Sequence, residues 1–221
     1  MDLDDIPEVL EIDRASYSVP WPASAYRREI LHNRNARYVV LREVVDGETR
    51  APRPAPSSRS LLPPFLRWPL RSEPRPPGVG QIHGYAGMWL MVDEAHITTI
   101  AMRPAWRGRG LGELLLVSMI ESALDTGAER VTLEVRVSNE TAQNLYRKYG
   151  FRQQGIRPRY YADDNEDAYI MTTDDIREEG YQRRFDSLVA ALRARLLDGR
   201  QFTVSAPGFA IGDAQREQGA R

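Results

Sequence analysis

Between Ile97 and Gly112 a β-branched run, Ile97-Thr98-Thr99-Ile100, passes through Met102-Arg103-Pro104 into Arg107-Gly108-Arg109-Gly110-Leu111-Gly112. β-Branched residues favour an extended strand, and the apolar run that starts at Leu111 favours a helix, so a strand ends here and a helix begins. The glycines keep side chains off the turn, which lets a ligand approach the backbone, and the first N–H groups of the helix have no partner within it. Such amides favour anions, phosphate above all. The spacing is neither Gly-x-Gly-x-x-Gly nor a P-loop with its Gly-Lys-Ser/Thr ending, so the signatures for dinucleotides and nucleoside triphosphates are not met.

The flanking pattern sets the topology. From Leu111 to Leu124 apolar residues cover more than one helix face, which requires extensive burial, and Thr126-Gly127 ends the helix. Val131, Leu133, Val135 and Val137 then alternate with Thr132, Glu134 and Arg136, one strand face apolar and the other polar. Strand, glycine turn, buried helix and strand make a βαβ unit, with parallel pairing and a right-handed crossover. Ile82 to Met91 and Ala95 to Met102 predict a hairpin before it. After it, Ser138-Asn139 opens a helix through Tyr149, and Phe151 to Ile156 and Ala168 to Thr172 supply closing strands. The class is α/β (α+β by the other convention), a mixed and mostly antiparallel sheet flanked by helices.

At the N-terminal end, residues 3–16 predict a short helix. Val19-Pro20-Trp21-Pro22 predicts a loop, Ser24 a cap for a second helix through Leu31, and Tyr38 to Val45 a strand. Trp21 is either a core anchor or the wall of a groove between the two helices. Residues 52–77 hold nine of the 15 prolines, too many for any regular element, so 46–80 reads as a Pro/Arg-rich insertion. Leu61, Leu62, Phe65, Leu66 and Trp68 give it an apolar patch that either docks or stays in a solvated loop. Tyr181, Phe185, Leu188, Leu192 and Leu196 recur at helix spacing, an amphipathic helix that packs on its own domain or forms a dimer seam. Residues 206–221 read as a frayed tail. The expected organisation is a domain over 1–175 carrying the insertion, and a helical extension with tail over 176–221.

Composition narrows the function. With no cysteine in 221 residues, disulfides, thiolate metal sites and a cysteine nucleophile are excluded. A net charge of −1 steers the chain to neither nucleic acid nor membrane. Asp2, Asp4 and Asp5 do not fit the basic start of a signal peptide, and no apolar run reaches the roughly 18 residues of a span, so a cytoplasmic location is expected. His32, His83 and His96 lack metal-ligand spacing and read as surface or satisfied strand residues.

Four groups of residues carry a resemblance. Arg107, Gly110 and Gly112 fit the Arg/Gln-x-x-Gly-x-Gly/Ala pattern by which GCN5-related N-acetyltransferases, the GNAT family, hold the pyrophosphate of acetyl-CoA. Leu133 to Asn139, Asn144-Leu145-Tyr146 with Tyr149-Gly150-Phe151, and Arg159-Tyr160-Tyr161 are similar in order and spacing to the RimI-like branch, which resembles the N-terminal alanine acetyltransferase of ribosomal protein S18. The likeness covers roughly residues 3–45 and 81–173. It implies the GNAT fold, acetyl-CoA as co-substrate with no metal, and the N-terminal segment of an acceptor protein, such as a ribosomal protein, as partner.

The resemblance also implies roles. Ile100, Ala101 and Met102 pair with the pantetheine arm as a strand would. Arg107, Gly108, Arg109, Gly110, Leu111, Gly112 and Glu113 hold the pyrophosphate. Asn139 contacts the coenzyme, caps its helix, or does both. Glu134 draws the proton from the amine, if its surroundings raise its pKa, and Tyr146 hands a proton to the departing sulfur. Trp21, Arg159, Tyr160 and Tyr161 line the acceptor groove, a surface turn being the other reading of the last three. An α-amine, with a pKa of about 8 against about 10.4 for lysine, needs only a modest base. A lysine or small-amine acetyltransferase and a non-catalytic acyl-CoA-binding module are the competing functions. One departure stands out: the first strand of the fold has no counterpart ahead of the first helix, so a sheet edge needs cover.

Overall fold

The computed structural model describes residues 1–43, 80–196, 202–206 and 209–210. The period-two stretches form β1 (Ala36–Glu43), β2 (Ile82–Met91), β3 (Glu94–Met102), β4 (Arg130–Arg136), β5 (Phe151–Tyr161) and β6 (Glu166–Thr173). Near the C-terminus, β7 (Phe202–Ala206) and β8 (Phe209–Ala210) follow. The helices are α1 (Ile6–Ser16), α2 (Ala23–His32), α3 (Leu111–Asp125), α4 (Glu140–Lys148) and α5 (Glu179–Leu196). One sheet holds all eight strands in the order β5-β6-β4-β3-β2-β1-β7-β8. Among the described strands only β3 and β4 are parallel neighbours, joined by the α3 crossover that the βαβ pattern predicts.

Two cores follow from the alternation of side chains across the sheet. Val39 and Leu41 of β1 join the cluster in which Leu115, Leu116, Met119 and Ile120 of α3 pack on Val131, Leu133 and Val135 of β4. Tyr38 and Val40, one residue out of phase, join a second cluster with Val9 and Ile12 of α1 and Tyr26 of α2. The apolar positions of α3 that cover more than one face are explained by α5, whose Phe185, Val189 and Leu192 lie in the same cluster as α3. The C-terminal helix therefore shares the core formed by α3 and the sheet.

Three expectations need correction. Ser24 caps nothing: α2 starts at Ala23, with Pro22 in the N-cap position. β5 runs on to Tyr161, so Arg159, Tyr160 and Tyr161 belong to a strand and not to a turn. Part of the tail expected to fray is a strand, because Ser205 and Ala206 pair with Ala210 and Phe209. β7 itself lies antiparallel on β1, from Val40↔Ser205 to Glu43↔Phe202. An unpaired strand edge is a row of unsatisfied donors and acceptors, and β7 covers that edge of β1. Residues 44–79, nearly all of the insertion with its apolar patch, lie outside the described residues.

Candidate coenzyme and acceptor site

The β3–β4 ladder stops at Ile97↔Leu133, although β3 continues to Met102 and β4 to Arg136. The register of β3 against β2 jumps from Gly87↔Thr99 to Met88↔Ile97, so Thr98 is an extra residue, and such a bulge bends the strand at the end of the ladder. The phase of the β2–β3 bonds shows what faces the resulting gap. Arg103 N–H donates to His83 O at 2.8 Å, which makes Tyr85↔Ala101 the next hydrogen-bonded pair and leaves Gly84↔Met102 and Ala86↔Ile100 as pairs that do not bond each other. The main-chain groups of Ile100 and Met102 thus point into the gap. Two side chains reach their carbonyls there: Tyr17 Oη donates to Ile100 O at 3.2 Å and Arg107 Nε to Met102 O at 3.3 Å. Ala101, expected at the same edge, turns its main chain to β2 instead.

At one end of the gap α3 begins. Gly110 is its N-cap, in the left-handed region with φ 81°, a conformation that costs a side-chain-bearing residue roughly 1–2 kcal/mol. Gly108 has φ 74°. The first intrahelical bond runs from Leu114 N–H to Gly110 O at 3.1 Å, so the N–H groups of Leu111, Gly112 and Glu113 precede it, and among the described residues no side chain caps them. Arg109 lies over the Trp106 ring at 4.9 Å, while Arg107 reaches from Met102 O to Ser16 Oγ at 3.2 Å.

Two of the expected coenzyme residues are engaged elsewhere. The buried Glu113 carboxylate accepts from Lys148 Nζ at 2.5 Å, Tyr149 Oη at 2.6 Å and Arg195 Nη2 at 2.6 Å. Burial pushes its pKa up, but these three donors outweigh it and hold the group below the usual carboxylate range. The side chain ties α3 to α4 and α5, which leaves only the main-chain N–H for a ligand. Asn139 Oδ1 caps α4, accepting from Ala142 N–H at 3.1 Å.

Glu134 lies on β4 just past the last pair of the ladder, and Tyr146 lies on α4. Glu134 is nearly buried and bridges two side chains, His96 through Nε2 at 2.8 Å and the Arg157 guanidinium through Nη2 at 3.0 Å. Burial raises its pKa, yet the hydrogen bond and electrostatic influence of His96, then the charge of Arg157, bring it below the ordinary value. The raised pKa that a lone carboxylate base needs is therefore absent. His96, read from sequence as a satisfied strand residue, is satisfied by Glu134 itself; the ladder places it opposite Thr132, two residues before Glu134 on the same polar face. Tyr146 is half-buried, its ring 5.7 Å from Phe151, and its hydroxyl has no hydrogen-bond partner among the described residues. Burial first, then Tyr17 and Tyr161, push its pKa well above the usual phenol value.

The loop between α1 and α2 faces the β5–β6 hairpin. Ser18 Oγ donates to Asp163 Oδ2 at 2.5 Å, joining the two. Arg136 holds Asp163, Asp164 and Glu166 of the hairpin and lies 3.9 Å from the centre of the Tyr161 ring, which meets Tyr160 edge to face at 5.2 Å. Trp21 N–H is fixed on Asp13 Oδ2 at 2.7 Å and its ring lies 5.6 Å from Tyr26. Arg159 is exposed at a bulge with φ 51°, its N–H on Asp167 Oδ1 at 2.7 Å. Its neighbour Arg157, which the motif did not single out, is the arginine that reaches Glu134.

A splayed parallel pair with a glycine-started helix at its mouth defines an acyl-coenzyme acetyltransferase, and the comparisons agree. The acetyltransferase (GNAT) family matches residues 48–151. The chain is 36% identical over 171 residues to a Bacillus subtilis (strain 168) protein named as a candidate ribosomal protein bS18 alanine N-acetyltransferase, covering 77% of this chain and 90% of that one. It is 32% identical over 155 residues to the N-alpha-acetyltransferase RimI of Mycobacterium tuberculosis, covering 70% and 76% respectively. The crystal structure of the ribosomal-protein-S18-alanine N-acetyltransferase from Escherichia coli shares the fold, with a TM-score of 0.55 at 23% identity over 79% of this chain and 90% of that chain. The chain belongs to the GNAT acetyltransferases. Within that family it is an N-alpha-acetyltransferase of the RimI-like branch.

Proposed function

We propose that this enzyme transfers acetyl from acetyl-CoA to the N-terminal α-amine of a cytoplasmic protein, alanine or a similarly small residue in first position, with a ribosomal protein of the bS18 kind as acceptor. One observation carries the reading: the β3–β4 gap has uncapped N–H groups of Leu111, Gly112 and Glu113 at one end and Glu134, paired with His96, just past the last pair of its ladder, while Tyr146 interacts electrostatically with Tyr17 at the β3 edge. The residues fit the coenzyme. Three converging amides suit a pyrophosphate, and the main-chain groups of Ile100 and Met102 suit the amides of a pantetheine arm. In this reading one of those edge N–H groups stabilises the oxyanion that forms on the thioester carbonyl.

Amide formation requires the amine nitrogen to attack that carbonyl and lose a proton, and the C–S bond to break with a proton delivered to sulfur. Glu134 and His96 take the first task together. The carboxylate holds Nε2–H of the imidazole, which leaves Nδ1 with a lone pair for the amine proton, directly or through water. Tyr146 takes the second: a phenol kept protonated by burial, with no competing acceptor among the described residues, has its proton to give.

Thiol release from acetyl-CoA, measured with Ala-, Ser- and Met-initiated peptides and with an N-blocked peptide carrying an internal lysine, tests this reading. Release is expected to be fastest with the Ala peptide and lowest with the blocked one. A preference for the internal lysine makes the chain a lysine acetyltransferase, and coenzyme binding without release on any peptide makes it an acyl-CoA-binding module.

A further inference from the structure

A buried carboxylate outside the catalytic proposal lies on the sheet face that carries α1 and α2. Asp13 of α1 is 2% exposed and accepts three hydrogen bonds: Trp21 N–H to Oδ2 at 2.7 Å, Tyr26 Oη to Oδ1 at 3.1 Å, and a short bond from Tyr85 Oη to Oδ1. Tyr85 Oη accepts from Thr99 Oγ1 at 3.3 Å, and Thr99 Oγ1 lies 2.9 Å from Tyr17 Oη. Tyr17 Oη reaches Ile100 O at 3.2 Å. A continuous chain of hydroxyls therefore runs from the interior to the edge of β3 that faces the gap.

The end of that chain dictates the direction of every proton in it. A carboxylate offers only lone pairs, and each hydroxyl has one proton to give. Tyr85 gives its proton to Asp13 and can only accept from Thr99. Thr99, having donated to Tyr85, can only accept from Tyr17. The Tyr17 proton is thus committed to Thr99 Oγ1 and Ile100 O, and what its oxygen has left is lone-pair density. Tyr17 also acts electrostatically on both Tyr146 and Tyr161, which puts the three phenols in one neighbourhood at the β3 edge where Tyr17 reaches Ile100 O.

We propose that Tyr17 is an acceptor-binding residue that takes an N–H of the incoming uncharged α-amine, and that Asp13 is the positioning residue that orders it from inside the core. The proposal rests on the acetyl-transfer reading above. Its chemical content is the polarity. A donor at this place would bind the nitrogen lone pair and block attack, whereas an acceptor binds through N–H and leaves that lone pair for the thioester carbonyl. No proton moves along the chain.

Steady-state kinetics of the full chain with acetyl-CoA and an Ala-initiated peptide test it, using Tyr17→Phe, Asp13→Asn and the double variant. Tyr17→Phe is expected to lower kcat/KM for the peptide about tenfold, the worth of one hydrogen bond, with KM for acetyl-CoA unchanged. Asp13→Asn is expected to lower the same quantity, and the double variant to be no worse than Tyr17→Phe alone, because Asp13 acts through Tyr17. Thr99→Val interrupts the chain without touching the buried carboxylate and serves the same comparison if Asp13→Asn does not fold. Peptide kcat/KM at the wild-type level in Tyr17→Phe, or losses that add in the double variant, overturn the inference. A wild-type chain that acetylates no peptide overturns the acetyl-transfer reading and this inference with it, a result distinct from failure of the variants alone.

Discussion

Tyr146→Phe is expected to reduce kcat by about a hundredfold or more, the range of a lost general acid, with the affinity for acetyl-CoA unchanged. The substitution removes one oxygen and keeps the ring that packs 5.7 Å from Phe151, so the fold has no reason to respond. The hydroxyl it removes has no partner among the described residues, hence no buried group is orphaned by its loss. What disappears is a proton beside the departing sulfur, needed only in the transition state, and an interaction of that kind appears in kcat and not in ground-state binding. Single-turnover rates beside calorimetric coenzyme binding separate the two. A loss of binding as large as the loss of rate contradicts the acid role.

Glu134→Gln is expected to cost a similar factor in kcat, and for a different reason. The amide cannot hold both His96 and Arg157 as a carboxylate does, so the imidazole loses the anion that orients it. The pH dependence carries a sharper signature. With its pKa held below the ordinary value, Glu134 stays ionised through the neutral range and sets no acid limb near pH 4.5. kcat/KM for the peptide is expected to rise with pH along a limb that belongs to the acceptor α-amine, near about 8. For stability the sign is the usual one for a depressed carboxylate: the contribution of Glu134 is present above its unfolded pKa of about 4.3 and is lost as pH falls through the lower native value. Urea midpoints of wild type and Glu134→Gln, compared across that acid range, are expected to converge as the pH falls. A constant gap contradicts the assigned environment.

Much of this was legible in the residues, and the failures are instructive. The βαβ unit and the helix start at Gly110 follow from local periodicity and glycine placement, which act within one turn or one strand. α5 showed itself through its helical spacing. β7 did not: its reason for being a strand lies in the open edge of β1, about 160 residues away in the chain, and no local pattern carries that information. The site divides along the same line. The uncapped N–H groups of Leu111 and Gly112 were readable because glycine spacing encodes the helix start. Glu113 was assigned to the coenzyme by its place in the motif, yet its side chain belongs to Lys148, Tyr149 and Arg195, two of them on α4 or just beyond it and one on α5. His96 was passed over because its partner is fixed by the β3–β4 register, and Ala101 was placed at the edge because the phase of the β2–β3 bonds cannot be read from a run of β-branched residues.

A crystal structure with acetyl-CoA bound tests the central claim most directly. The expected result has pyrophosphate oxygens about 3 Å from the N–H groups of Leu111 and Gly112, the pantetheine amides on Ile100 and Met102, and the sulfur beside Tyr146 Oη with Glu134 and His96 across the gap. Coenzyme bound away from the start of α3, or a thioester out of reach of both Tyr146 and the Glu134–His96 pair, contradicts it.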